Sequence, residues 1–296
     1  MRLLVLAAAI LAGCGAFAIF QAITGNFLPH DAMYLGMSAN EVCALQGCRI
    51  LHFMIHDRVS FGGVLIAIGV VYMWLALFPL RRMESWAWWA LTSSSLVGFL
   101  SFLAYLGYGY LDTWHGAGTL ALAPLFFVGL LRTRRTCQNV VAPNVLELRT
   151  AAGVGRVLLL LASLGIVAAG LTIMIVGMTR VFVPQDLEFI GMTPAAVTAI
   201  NPHLMPLIAH DRAGFGGALA SFGLAMFACV RYGRSSLALW HALAIAGIAG
   251  FAAAIGVHPA VGYLSFTHLA PAVLGSFVYA GGLALAALDS RERTHR

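Results

Sequence analysis

Charge is what this sequence has least of. Only 9% of its 296 residues are acidic or basic and 61% are hydrophobic, where soluble domains carry roughly 25% charged residues. Mean hydropathy is +0.90. Water could not wet a surface built from this composition, which excludes a soluble enzyme, a disordered chain and a nucleic-acid-binding domain. Apolar–polar alternation is missing too, and that excludes the strands of a membrane β-barrel. Unbroken apolar runs are present instead, at about Leu3–Ile23, Val59–Phe78, Trp86–Leu106, Thr113–Leu131, Val157–Met178, Ala213–Val230, Leu237–Val257 and Tyr263–Leu288. At roughly 20 residues per span, they predict an all-α integral membrane protein of eight transmembrane helices, with the lipid bilayer as its first partner.

Acidic residues are scarce where basic ones gather. Arg2, Arg81, Arg82, Arg132, Arg134, Arg135, Arg149, Arg156, Arg231, Arg234, Arg291, Arg293 and Arg296 fall at one end of the alternating spans. Asp31, Glu41, Asp112, Asp186 and Glu188 fall at the other. The positive-inside rule then predicts cytoplasmic N and C termini in a bacterial-type inner membrane. The net charge of +6 therefore reads as topology. Leu11-Ala12-Gly13-Cys14 looks like a lipoprotein cleavage site, but the apolar run continues to Ile23 and predicts a retained helix.

Three motifs occur twice in the same order. Phe27-x-Pro29-x-Asp31 with Gly36-Met37 returns as Phe182-x-Pro184-x-Asp186 with Gly191-Met192. His56-Asp57-Arg58 with Phe61-Gly62-Gly63 returns as His210-Asp211-Arg212 with Phe215-Gly216-Gly217. Gly109-Tyr110-Leu111 with His115 returns as Gly262-Tyr263-Leu264 with His268. The offsets are 155, 154 and 153 residues. These repeats predict two tandem pseudo-symmetric four-helix bundles, residues 1–135 and 157–290, joined by a cytoplasmic linker at 136–156. Four helices per repeat make the repeats parallel.

Only four of the ten histidines recur in register, His56 with His210 and His115 with His268. Ionisable residues at membrane depth are costly and default to function. A spacing of 59 residues in the first half and 58 in the second places each pair at one depth on two helices. Opposed imidazoles in a four-helix bundle are a common way to ligate haem iron. Ser60, Gly63, Gly214 and Gly217 share the histidine faces of their helices, and such a small stripe admits either a porphyrin or a neighbouring helix. The competing reading makes His-Asp-Arg an interface anchor at the mouth of a span, with Asp57 and Asp211 at the helix N-terminus. His52 lies one turn before His56 and could form a three-histidine metal site with His56 and His115. Histidines 30, 203, 241, 258 and 295 read as loop or end residues. Cys43 and Cys48 share one loop, where a disulfide is expected on an oxidising side. Cys14, Cys137 and Cys229 read as packing or neutral positions.

With eight spans in two halves and histidines on the second, fourth, sixth and eighth, the arrangement resembles the haem A synthase family. The resemblance implies an oxidoreductase that oxidises a haem methyl to a formyl group, with a membrane electron donor or quinone as partner. It implies that His56 and His115 face the substrate haem, and that His210 and His268 hold haem b. Phe53 stands where the family carries Glu, and Asp57 intervenes between His56 and Arg58. That leaves His52 and Asp57 as the catalytic candidates for proton handling. A parallel-repeat transporter or lipid-handling protein without cofactor is the alternative, but paired Gly/Pro breaks in mid-span, the best pointer to such a site, are lacking.

Overall fold

The computed structural model describes residues 1–104, 109–110 and 112–294, without the side chains of 104 and 289–294. Leu106, Leu111, His295 and Arg296, and the side chains of Arg291 and Arg293, lie outside the described residues. The chain folds as α1 (Arg2–Ile23), α2 (Pro29–Leu35), α3 (Ala39–Ala44), α4 (Arg49–Leu77), α5 (Ser85–Ala104), α6 (Thr113–Arg134) and α7 (Ala151–Thr179). It continues as α8 (Pro184–Ile190), α9 (Pro194–Ile200), α10 (Leu204–Tyr232), α11 (Leu237–Val261) and α12 (Phe266–Thr294). Eight of these, α1, α4, α5, α6, α7, α10, α11 and α12, are long and apolar enough to cross a membrane.

Two of the eight start nine or ten residues ahead of their apolar runs, further than any other. The sequence places His-Asp-Arg at the mouth of a span, but α4 begins at Arg49 and α10 at Leu204. His56 and His210 therefore sit about two turns inside their helices, and Asp57 and Asp211 lie too deep to complement an N-terminus. Hydropathy ends where charge begins, whereas the helix continues because those charges find partners inside the protein. The same two helices are the central ones. In their most apolar stretches 83% and 78% of residues are buried, against 17% to 39% in the other six. Leu120, Leu161, Leu274 and Phe277 on the outer helices are exposed, as side chains facing hydrocarbon should be.

Small residues set the packing. A Cβ on Gly15 would lie 2.5 Å from the Gly62 carbonyl, and one on Gly216 would lie 2.6 Å from the Gly170 carbonyl. So α1 lies tight on α4, and α7 on α10, each within its own half. The next contacts cross between halves. A Cβ on Gly63 would lie 2.4 Å from Ala253 Cβ of α11, and one on Gly217 would lie 2.0 Å from Ser101 Cβ of α5. Accordingly α4 packs on α11 and α10, while α10 packs on α5 and α4. Helices of the two halves thus alternate in contact, α4 with α11 and α10 with α5. Gly63 and Gly217 are filled by neighbouring helices and leave no slot for a flat ligand.

At the opposite end the linker joins both halves. Asn139 pairs its backbone with Met83 and Ser85, and the Asn144 side chain donates to the carbonyls of Val230 and Gly233. At the histidine end, Cys43 of α3 is disulfide-bonded to Cys48, the residue before α4. The Asn201 amide donates to the Leu35 carbonyl at 2.8 Å, so the loops of the two halves also interlock.

Candidate metal centre

All three duplicated motifs converge at one end of the bundle. Arg58 of α4 meets Asp211 of α10 at 2.8 Å and Asp31 at 3.0 Å. Arg212 of α10 meets Asp57 of α4 at 3.2 Å and Asp186 at 2.8 Å. Tyr110 donates to Asp31, and Tyr263 donates to Asp186 at 2.8 Å. Each arginine thus bridges the loop aspartate of its own half and the helix aspartate of the other. Burial, and after it the charge of Asp31, pushes the Tyr110 hydroxyl far above its ordinary range; burial and Asp186 do the same to Tyr263. Both tyrosines are neutral donors.

Histidines pair across the halves as well. The sequence expectation joined His56 with His115 and His210 with His268. Instead His115 Nδ1 stands 2.9 Å from His210 Nε2, with ring centroids 5.1 Å apart and planes at 21°. His56 faces His268, with centroids 5.5 Å apart. The even within-half spacing was compatible with either pairing; the exchange of α5 and α11 decides it.

Asp112 completes the first cluster. As N-cap of α6 it accepts from the backbone N–H groups of Trp114 and His115 through Oδ1. Its Oδ2 lies 2.7 Å from His115 Nδ1 and 3.4 Å from His210 Nε2. Burial raises the Asp112 carboxyl, but hydrogen bonds from His115 and His210 outweigh it and hold the group well below the carboxylate range. His30, read from sequence as a loop or end residue, has its Nε2 2.9 Å from Asp112 Oδ1. Arg58 pairs with two carboxylates, Asp31 and Asp211, while Asp112 faces the imidazoles of His30, His115 and His210, so buried carboxylates outnumber the guanidinium in this network, where charge is hard to leave unbalanced. A cavity adjoins the cluster, lined among others by Arg58, Phe61, Phe102, Asp211 and Gly214.

Whether this donor set fits an iron porphyrin or a bare ion is a question of distance. With metal–nitrogen bonds of about 2.0–2.1 Å, two imidazoles on opposite sides of an iron need nitrogens about 4 Å apart. Two imidazoles at tetrahedral positions on one ion need about 3.3 Å. The observed 2.9 Å is short of both and close to the second, and the carboxylate on the same point supplies a third ligand. As placed, the pair fits a single ion; a porphyrin would require the rings to move apart by about 1 Å.

Other sequence candidates fall elsewhere. His52 is partly buried and joins none of the donor clusters among the described residues. Asp57 is buried between Arg212 and His56. His203 stacks on Tyr34. His258, read from sequence as an end residue, is 3% exposed and inside α11. No family model, no curated protein and no solved structure matches this chain.

Proposed function

We propose that this chain is a membrane-embedded redox metalloprotein whose primary centre is the Asp112–His115–His210 cluster. The observation that carries the reading is the convergence of one carboxylate oxygen and two imidazole nitrogens within 3.4 Å, on a buried network with excess negative charge. Two histidines and one carboxylate with open positions is the ligand set of non-haem iron oxygenases. Bound iron would supply one-electron and oxygen chemistry; the rest of the site belongs to the protein. Phe61, Phe102, Arg58 and Asp211 line the small adjoining cavity, and Asp112 offsets the ion's charge. A membrane quinone or other electron donor, on the non-cytoplasmic side given by the arginine distribution, is the partner this reading calls for.

Haem ligation between His115 and His210 is the second reading. It is favoured by the near-parallel rings and by Arg58, a cation for a propionate, in the same cavity. The purified protein's optical spectrum and metal content separate the two. Iron without a Soret band, lost in His115→Ala, supports the ion. A Soret band supports haem, and a chain that holds neither iron nor haem after supplementation with each overturns both.

A further inference from the structure

A second cluster lies on the other side of the central helices. His56 of α4, His258 of α11 and His268 of α12 bring their rings together with centroids 4.5, 5.4 and 5.5 Å apart. Three imidazoles bound to one tetrahedral ion at about 2.0–2.1 Å have centroids about 5 Å apart. One donor nitrogen from each of the three lies within 4.8 Å of the others.

What surrounds the rings is as telling as their spacing. Ligating histidines commonly give their second nitrogen to a carboxylate or a backbone carbonyl, which fixes the tautomer. His56 Nδ1 lies 3.0 Å from Asp57 Oδ1, and His258 Nδ1 lies 2.7 Å from the Ala254 carbonyl. His268 Nδ1 lies 3.1 Å from the Tyr263 hydroxyl and 3.7 Å from Asp186. Every Nδ1 is thus held by an oxygen, which leaves Nε2 as the donor. The His258 Nε2 is buried and makes no hydrogen bond, a costly state for a polar atom at this depth unless something binds it. Asp57 and Asp186 are 2% and 0% exposed, and they outnumber the one guanidinium between them, Arg212. A cation offsets that surplus.

We propose that His56, His258 and His268 form a second metal site, for a divalent transition ion of the zinc type with water at its fourth position. The site ties α4 of the first repeat to α11 and α12 of the second. It stands independently of the Asp112 centre, since it shares no ligand with it.

Cobalt(II) is the probe, because tetrahedral nitrogen ligation gives it visible absorption. The full-length protein in nanodiscs, stripped of metal, should take up two equivalents of Co2+. His258→Ala should bind one fewer and lose this site's share of the tetrahedral absorption, while His115→Ala should lose the other equivalent and keep that share. Tyr263→Phe, which keeps all three imidazoles, should weaken cobalt binding at this site 10–100-fold. Should His258→Ala fail to fold, His268→Gln gives the same reading. Unchanged uptake and bands in His258→Ala or His268→Gln would overturn the proposal. So would a wild-type protein whose bound cobalt is all lost in His115→Ala.

Discussion

Arg58 of one repeat reaches Asp211 of the other at 2.8 Å, and Arg212 returns the contact to Asp57 at 3.2 Å. His-Asp-Arg is therefore a reciprocal clamp between the two central helices, in which each arginine takes the aspartate of the other copy. That explains why the motif can sit two turns inside a membrane-spanning helix. Each arginine also takes a loop aspartate that a tyrosine holds, so three duplicated motifs form one network used twice.

Removing one side of the clamp should be costly. Arg58→Ala leaves Asp31 and Asp211 buried without their cation, a loss expected at about 3–5 kcal/mol. Thermal unfolding in detergent checks it, with exposed Arg149→Ala as the control expected within about 0.5 kcal/mol of wild type.

Tyr110→Phe removes a neutral donor from a charged acceptor and keeps the ring. A hydrogen bond of that kind contributes about 1.5–3 kcal/mol. Denaturant unfolding should show a loss of this size, with metal at Asp112–His115–His210 retained.

Glycine at the helix crossings should not tolerate branching. A Cβ on Gly216 would lie 2.4 Å from the Met174 amide nitrogen, whereas one on Gly165 meets nothing within 4 Å. Gly216→Val should lower the melting temperature by forcing α7 from α10, at about 1–3 kcal/mol or more. Gly165→Val, on the same helix as Gly170, should melt close to wild type.

Asp112 has two roles that one pair of substitutions separates. Asp112→Asn keeps a good N-cap but removes the charge facing His115 and His210. It should lose iron affinity, together with about 1.5–3 kcal/mol for the charge-assisted hydrogen bonds to the imidazoles. Asp112→Ala should lose the affinity and a further 0.5–2 kcal/mol or so of stability with the cap.

Much of this architecture was legible in the sequence. Eight apolar runs gave the helices, and the repeated motifs gave the histidines, arginines and aspartates that meet at one end. Pairing was not legible, because identical depth in both halves suits partners within a repeat as well as across repeats. Gly63 and Gly217 held the answer in a form that sequence cannot decode. Their bareness suits a flat ligand and a close helix equally, and only the positions of Ala253 and Ser101 decide between them. His258 was passed over because it does not recur; Tyr105 stands at the matching place in the first half. Its position near the end of an apolar run looked like a helix end, yet α11 continues to Val261 and turns the ring inward. Asp112 was counted as a topological charge, since nothing in its neighbourhood marks it as both helix cap and partner of two histidines.

X-ray absorption at the iron edge of the iron-loaded wild-type protein tests the central claim most directly. Two imidazoles and a carboxylate oxygen on one iron, with the imidazole scattering reduced alike in His115→Ala of the first repeat and His210→Ala of the second, is the expected result. A porphyrin's four equatorial nitrogens, or iron scattering unchanged in both variants, would contradict it.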